Sequence, residues 1–139
     1  MLLHEDHEEK KNDNENSNNF DRISKAVIGA AIEVHRVLGP GFRESVYQKA
    51  LARELQLRGL HFVSEPRVPV LYKEVNVGTH APDFIVEETV GLELKAVETI
   101  LDVHVSQLVS SMKATNLKIG LILNFSKKTV KEGIRRVVL

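Results

Sequence analysis

The hydrophobic period of the chain changes from 3.6 to 2 residues just past Gly59, so helices must come first and strands must follow. Ahead of that point Ile23, Val27, Ala30, Ala31, Val34 and Leu38 recur at helical spacing. Asp21 is placed to cap this helix and Gly39-Pro40-Gly41 to stop it. A second helix is expected from about Glu44 to Arg58, with Val46, Tyr47, Ala50, Leu51, Leu55 and Leu57 as its apolar positions and Gly59 as the left-handed residue that ends it.

Beyond Gly59, Val68, Val70 and Tyr72 alternate with Arg67, Pro69 and Leu71, and Val75 and Val77 continue after a turn at Lys73-Glu74. Asp83–Val86 and Val90–Val97 follow, which predicts three or four strands in a meander. A third helix over about Asp102 to Thr115 carries Val105, Leu108, Val109 and Met112 on one face. Ile119–Leu123 is apolar throughout, as befits a strand covered on both sides. A short helix or turn near Thr129 to Gly133 leads to a last strand, Ile134 to Val138. The expected class is α/β (α+β), a mixed sheet with helices packed on it.

At 139 residues the chain fits one domain, expected over residues 20–139. Residues 1–19 hold six acids and two lysines, a net charge of −4, and almost nothing apolar after Leu3. Such a stretch buries too little to repay the entropy of ordering, so a disordered acidic tail is expected. The remainder carries +4, compatible with a nucleic-acid partner without demanding one. With no cysteine, disulfides and Cys-ligated metal centres are excluded. No apolar run approaches the ~20 residues of a membrane helix, and the first residues lack the pattern of a signal peptide. The expected setting is cytoplasmic, with no membrane partner.

The chemistry concentrates in the hairpin 83–93. With Glu87, Glu88 and Thr89 as the loop, Val86 pairs with Val90, Ile85 with Gly91, Phe84 with Leu92 and Asp83 with Glu93. Opposed residues share a sheet face with Cβ atoms about 4.5–5.5 Å apart, and Lys95, two residues beyond Glu93, joins them. Leu92 and Leu94 point the other way, into the core. Two facing carboxylates repel and push one pKa up. A divalent cation removes that conflict, and Mg²⁺ is commonly held by one or two carboxylates plus water and substrate phosphate. Lys95 could then orient or help deprotonate a water, or offset charge in the transition state. A surface cross-strand pair is the alternative reading of the same residues.

Pro82-Asp83, nine residues, then Glu93-Leu94-Lys95 resembles the signature of the PD-(D/E)XK nuclease superfamily. Gly41-Phe42-Arg43-Glu44-Ser45-Val46-Tyr47 resembles the motif that names the GxxExxY protein family within it. The resemblance runs from about Ile23 to Leu139 and takes in Gly29–His35, Gly39–Gly41, Leu92–Glu98, Gly120–Phe125 and Gly133–Arg136. It implies an αβββαβ core, Mg²⁺- or Mn²⁺-dependent phosphodiester hydrolysis, and a nucleic-acid substrate, DNA ahead of RNA. Asp83 and Glu93 match the metal-binding acids and Lys95 the catalytic lysine. Glu44 matches an acid on an early helix near the metal, and Leu94 is carried with these as a metal position. Members of the superfamily that have lost activity and only bind make an inactive binding module the alternative.

Other candidates surround these. Tyr47 shares a helix face with Glu44, as packing or as a substrate contact. Gln107 matches a glutamine that a tyrosine often follows four residues later; here that position is Ser111, a departure that puts a full substrate-binding pair in doubt. Lys127, Lys128, Lys131, Arg135 and Arg136 form a basic segment that suits either a nucleic-acid backbone or a solvated face. His80 and His104 are candidates to approach a phosphate, and His35 is read as structural.

Overall fold

The computed structural model describes the backbone of residues 2–139 and the side chains of residues 18–139. The elements are α1 (Leu2–Leu38), α2 (Glu44–Leu57), β1 (Phe62–Ser64), β2 (Val68–Tyr72), β3 (Val75–His80), β4 (Phe84–Val86), β5 (Val90–Lys95), α3 (Asp102–Thr115), β6 (Ile119–Asn124), a 3-10 turn (Val130–Gly133) and β7 (Ile134–Val138).

The expected apolar stripe of α1 is the buried one: Ile23, Val27, Ala30, Ala31 and Val34 all lie in the core. The helix does not begin at Asp21 but runs through it, and Phe20, just before, packs against the core. α1 also takes in the backbone of Leu2–Asn19, where a disordered acidic tail is expected, while the side chains of residues 1–17 lie outside the described ones. α1 stops at Gly39, whose φ of +69° a residue with a Cβ adopts only with strain. α2 buries Tyr47, Leu51 and Leu55, spaced four apart along one face. Its end is a Schellman motif: Gly59 N–H donates to Gln56 O and Leu60 N–H to Leu55 O, both at 3.0 Å.

Five strands form one mixed sheet in the order β1-β4-β5-β6-β7. β5 and β6 are parallel and α3 makes their crossover; the other neighbours are antiparallel. α2, β1, β4, β5, α3 and β6 together give the αβββαβ order, with β2 and β3 inserted between β1 and β4.

The expected meander needs correction in two respects. β1 joins the sheet beside β4, and three residues are too few for an alternating pattern to register. β2 and β3 pair only with each other, around a turn in which Lys73 and Glu74 both have positive φ. Alternation reports that a segment is extended; it carries no information about which sheet it enters.

The sheet separates two apolar layers. On one side Phe84, Val86, Leu92, Leu94, Leu121 and Leu123 pack with α1, Tyr47, Leu51 and Leu55. On the other, Ile122 packs with Leu108, Met112 and Leu117 under α3. β6 is buried at all six positions, as its continuous apolar run requires. Gly120 lets α3 approach: a Cβ there would sit 2.7 Å from Met112 Sδ and 2.9 Å from Leu108 Cδ1.

Candidate metal centre on the β4–β5 hairpin

Three of the four expected hairpin pairs are present: Phe84 opposes Leu92, Ile85 opposes Gly91 and Val86 opposes Val90. Asp83, expected opposite Glu93, precedes β4 and is not in the ladder; its N–H donates to Leu92 O instead. The hairpin turn closes with Thr89 N–H donating to Val86 O at 3.0 Å, and Glu87 and Glu88 both take the left-handed conformation (φ 51° and 57°). That conformation gives the twist a tight hairpin needs. Val86 and Val90, both fully buried, anchor the two strands beside the turn.

At the open end the backbone of Asp83 is fixed on two sides. Its N–H donates to Leu92 O at 3.1 Å, and its carbonyl accepts from Glu65 N–H at 2.9 Å. Its carboxylate accepts from Leu94 N–H at Oδ2 (2.7 Å) and from the Gln48 side-chain amide at Oδ1 (2.8 Å). Glu93 is 8% exposed and faces α3, where the Ser111 hydroxyl lies 3.3 Å from Oε1. Lys95 follows on the same face, partly buried. Glu44, the first residue of α2, has a buried Oε2 with no hydrogen-bond partner.

The electrostatics join these groups. Burial pushes the Glu93 carboxyl up to about 7; the charge of Asp83 adds to the rise, Lys95 and the Ser111 hydrogen bond oppose it, and Glu44 adds a little more. Burial also raises Asp83, against the pull of the Leu94 N–H and the Lys95 ammonium, with Glu44 and Glu65 pushing upward. Three acids and one lysine therefore share one electrostatic neighbourhood. An open cavity of about 220 Å³ lies beside it, lined in part by Gln48, Glu65 and Asp83.

The Leu94 side chain is buried in the α1 and α2 layer, so any part it takes at a metal is through its main chain. Tyr47 is fully buried, stacks on Phe125 with ring centroids 4.5 Å apart, donates to Gly39 O at 2.6 Å and accepts from Phe42 N–H at 3.2 Å. Of its two expected roles, packing is the one this geometry supports. Gln107 is exposed one turn before Ser111, and its carbonyl accepts the Ser111 hydroxyl at 3.1 Å.

The basic segment is divided. Arg135 is in register with Ile122, which is in register with Glu93, so all three share one face of the sheet. Arg136 points to the opposite face and pairs with Asp21 at 2.8 Å. The Lys127 ammonium donates to Glu98 O, and its carbonyl is 2.9 Å from His35 Nε2. Lys128 is exposed at the edge of a separate groove formed with Arg36, Pro40 and Lys131. Gln48 was absent from the sequence candidates, although its spacing of four from Glu44 puts both on one face of α2. Ser111 stood out only as a departure.

A family model described as the PD-(D/E)XK nuclease superfamily matches residues 21–137. The chain belongs to the PD-(D/E)XK nuclease superfamily. No curated protein matches it. The match takes in the whole five-stranded sheet and its three helices apart from the start of α1 and the last residue of β7. Membership in this superfamily points to nuclease activity, a nucleic-acid substrate and the divalent metal ions its members generally use.

Among the described residues, no group of three or more His, Asp or Glu side chains stands assembled as a metal cluster. The residues nevertheless suit a hard divalent cation. Carboxylate oxygens are its preferred donors, Glu93 is held at a raised pKa beside another acid, and the buried Glu44 Oε2 lacks a partner. Among the described residues, no helix is long and apolar enough to cross a membrane.

Proposed function

We propose that the protein is a divalent-metal-dependent nuclease of the GxxExxY group that hydrolyses phosphodiester bonds in nucleic acid, DNA ahead of RNA, in the cytoplasm. The observation that carries this reading is the buried Glu93 carboxyl, 8% exposed, which lies with Asp83, Lys95 and Glu44 in one electrostatic neighbourhood. Burying like charges together is costly unless a cation joins them.

Asp83 and Glu93 would hold Mg²⁺ or Mn²⁺, with Glu44 as a third acid and the Leu94 main chain adjacent. When bound, the ion supplies charge stabilisation at the scissile phosphate and lowers the pKa of a bound water. Gln48 and the Leu94 N–H keep the Asp83 carboxylate in one orientation. Lys95 orients or deprotonates the attacking water, or offsets negative charge as the phosphate reacts. Arg135 and Lys128 remain exposed and available to a phosphate backbone, and Gln107 offers an exposed amide from α3.

Plasmid DNA, single- and double-stranded oligonucleotides and RNA, each with Mg²⁺ or Mn²⁺, test this reading. Cleavage is expected with metal and lost in Asp83→Ala and Lys95→Ala; cleavage that persists in those variants overturns it. A second reading, an inactive binding module on the same fold, draws on the absence of an assembled three-ligand cluster among the described residues. It predicts nucleic-acid binding without turnover and no Mn²⁺ affinity that Glu93→Ala removes.

A further inference from the structure

We infer that His80 and Ser111 form a positioning relay for Glu93, in which the His80 imidazole turns the Ser111 hydroxyl proton toward the Glu93 carboxylate. The inference rests on reading Glu93 as a metal ligand.

The Ser111 hydroxyl is buried on α3, with the residue 1% exposed, and has three polar neighbours. They are Glu93 Oε1 at 3.3 Å, Gln107 O at 3.1 Å and His80 Nε2 in close contact. A hydroxyl has one proton to give and two lone pairs to fill. In the ionised form that a metal ligand takes, the Glu93 carboxylate can only accept, as can the Gln107 carbonyl. His80 Nε2 is therefore the one of the three that can bring a proton to the hydroxyl oxygen. If Nε2 were bare, the serine proton would turn to it, leaving an oxygen lone pair facing the carboxylate. With Nε2–H donating, the serine proton is left for Glu93 and Gln107. The charged acceptor makes the stronger bond of the two, and the low dielectric of a buried site strengthens it.

The relay also gives the β2–β3 hairpin a function. The hairpin stands outside the main sheet, yet its last residue is His80, three positions before Asp83. By seating on α3 it delivers the His80 imidazole to the Ser111 hydroxyl. A group that bonds to a metal ligand from behind is commonly worth roughly 10–100-fold in metal affinity.

Calorimetric titration of the full chain with Mn²⁺ tests this. His80→Leu is expected to weaken Mn²⁺ binding about tenfold. His80→Gln, which keeps a side-chain N–H donor, is expected to return affinity to within about threefold of wild type. Ser111→Ala should weaken binding as His80→Leu does, and the two changes together should cost no more than either alone. Mn²⁺ binding lost in Glu93→Ala but unchanged in His80→Leu or in Ser111→Ala overturns the relay while leaving the metal site standing. Losses that simply add in the double variant overturn it as well. Wild-type binding that survives Glu93→Ala, or no wild-type binding at all, overturns the ligand reading and the relay with it. A role confined to holding the hairpin would lower the melting temperature of His80→Leu without moving the Mn²⁺ affinity, and Ser111→Ala, a smaller perturbation, decides the matter if His80→Leu does not fold.

Discussion

The Gln48 side-chain amide donates to Asp83 Oδ1 at 2.8 Å and so ties α2 to the start of β4. With Leu94 N–H on Oδ2, each oxygen of Asp83 is oriented by one donor and keeps lone-pair capacity for another partner. Gln48→Ala is expected to lower the unfolding free energy by about 1 kcal/mol and to weaken Mn²⁺ binding about tenfold. Urea titration and calorimetry read the two effects. An unchanged Mn²⁺ affinity would show that Asp83 needs no orientation from α2.

The raised pKa of Glu93 makes metal-free stability depend on pH. The folded chain holds this proton up to about 7, whereas the ordinary value is 4.5. The contribution is therefore fully present below about pH 4.5 and is lost as pH rises through about 7. Its size is on the order of 3 kcal/mol at most, taking about 1.4 kcal/mol for each tenfold in proton affinity. Unfolding in chelator should show this decline, and Glu93→Gln should flatten it. Because Mn²⁺ binds the ionised form, its stabilising effect should be greater at pH 8 than at pH 5.5. Equal metal stabilisation at both values would count against Glu93 as a ligand.

Lys95 opposes the rise in both acids. Lys95→Ala is expected to slow cleavage roughly 10²–10⁴-fold at saturating metal, the range for loss of a proton-transfer group. Single-turnover rates on an oligonucleotide measure this, and a change below threefold would remove Lys95 from the chemistry.

Gly120 sets the height of α3 above the sheet. Gly120→Ala is expected to cost about 1–3 kcal/mol through overpacking against Met112 and Leu108. The same shift would carry Ser111 away from Glu93, so Mn²⁺ affinity should fall with stability. A denaturant melt shows the first effect and calorimetry the second.

Glu88 is exposed and left-handed at φ 57°. Glu88→Gly is expected to raise the unfolding free energy by about 1 kcal/mol, because glycine adopts this conformation without the Cβ clash. Cleavage and Mn²⁺ binding should not change, since the turn lies at the far end of the hairpin from Asp83.

Much of the fold was legible because its signals are local. The stripe from Ile23 to Val34 and the Gly59 stop follow from helical period and left-handed φ, whatever the surroundings. Hairpin register worked the same way. Once Val86 pairs with Val90, alternation carries Glu93 and Lys95 to one face and Leu92 and Leu94 to the other. β1 and the separate β2–β3 hairpin were not legible, because extended patterns do not name their partners.

The sequence by itself determined that Glu93 and Lys95 share one face of the hairpin, because that placement depends on counting residues along one short stretch. The tertiary structure alone decided what surrounds them. Gln48 reaches Asp83 across 35 residues, His80 reaches Ser111 across 31 and Ser111 reaches Glu93 across 18. A glutamine, a histidine and a serine have no periodic signature of their own. They meet only because α2 and α3 dock on opposite faces of one sheet at heights set by packing, and packing is a property of the whole chain.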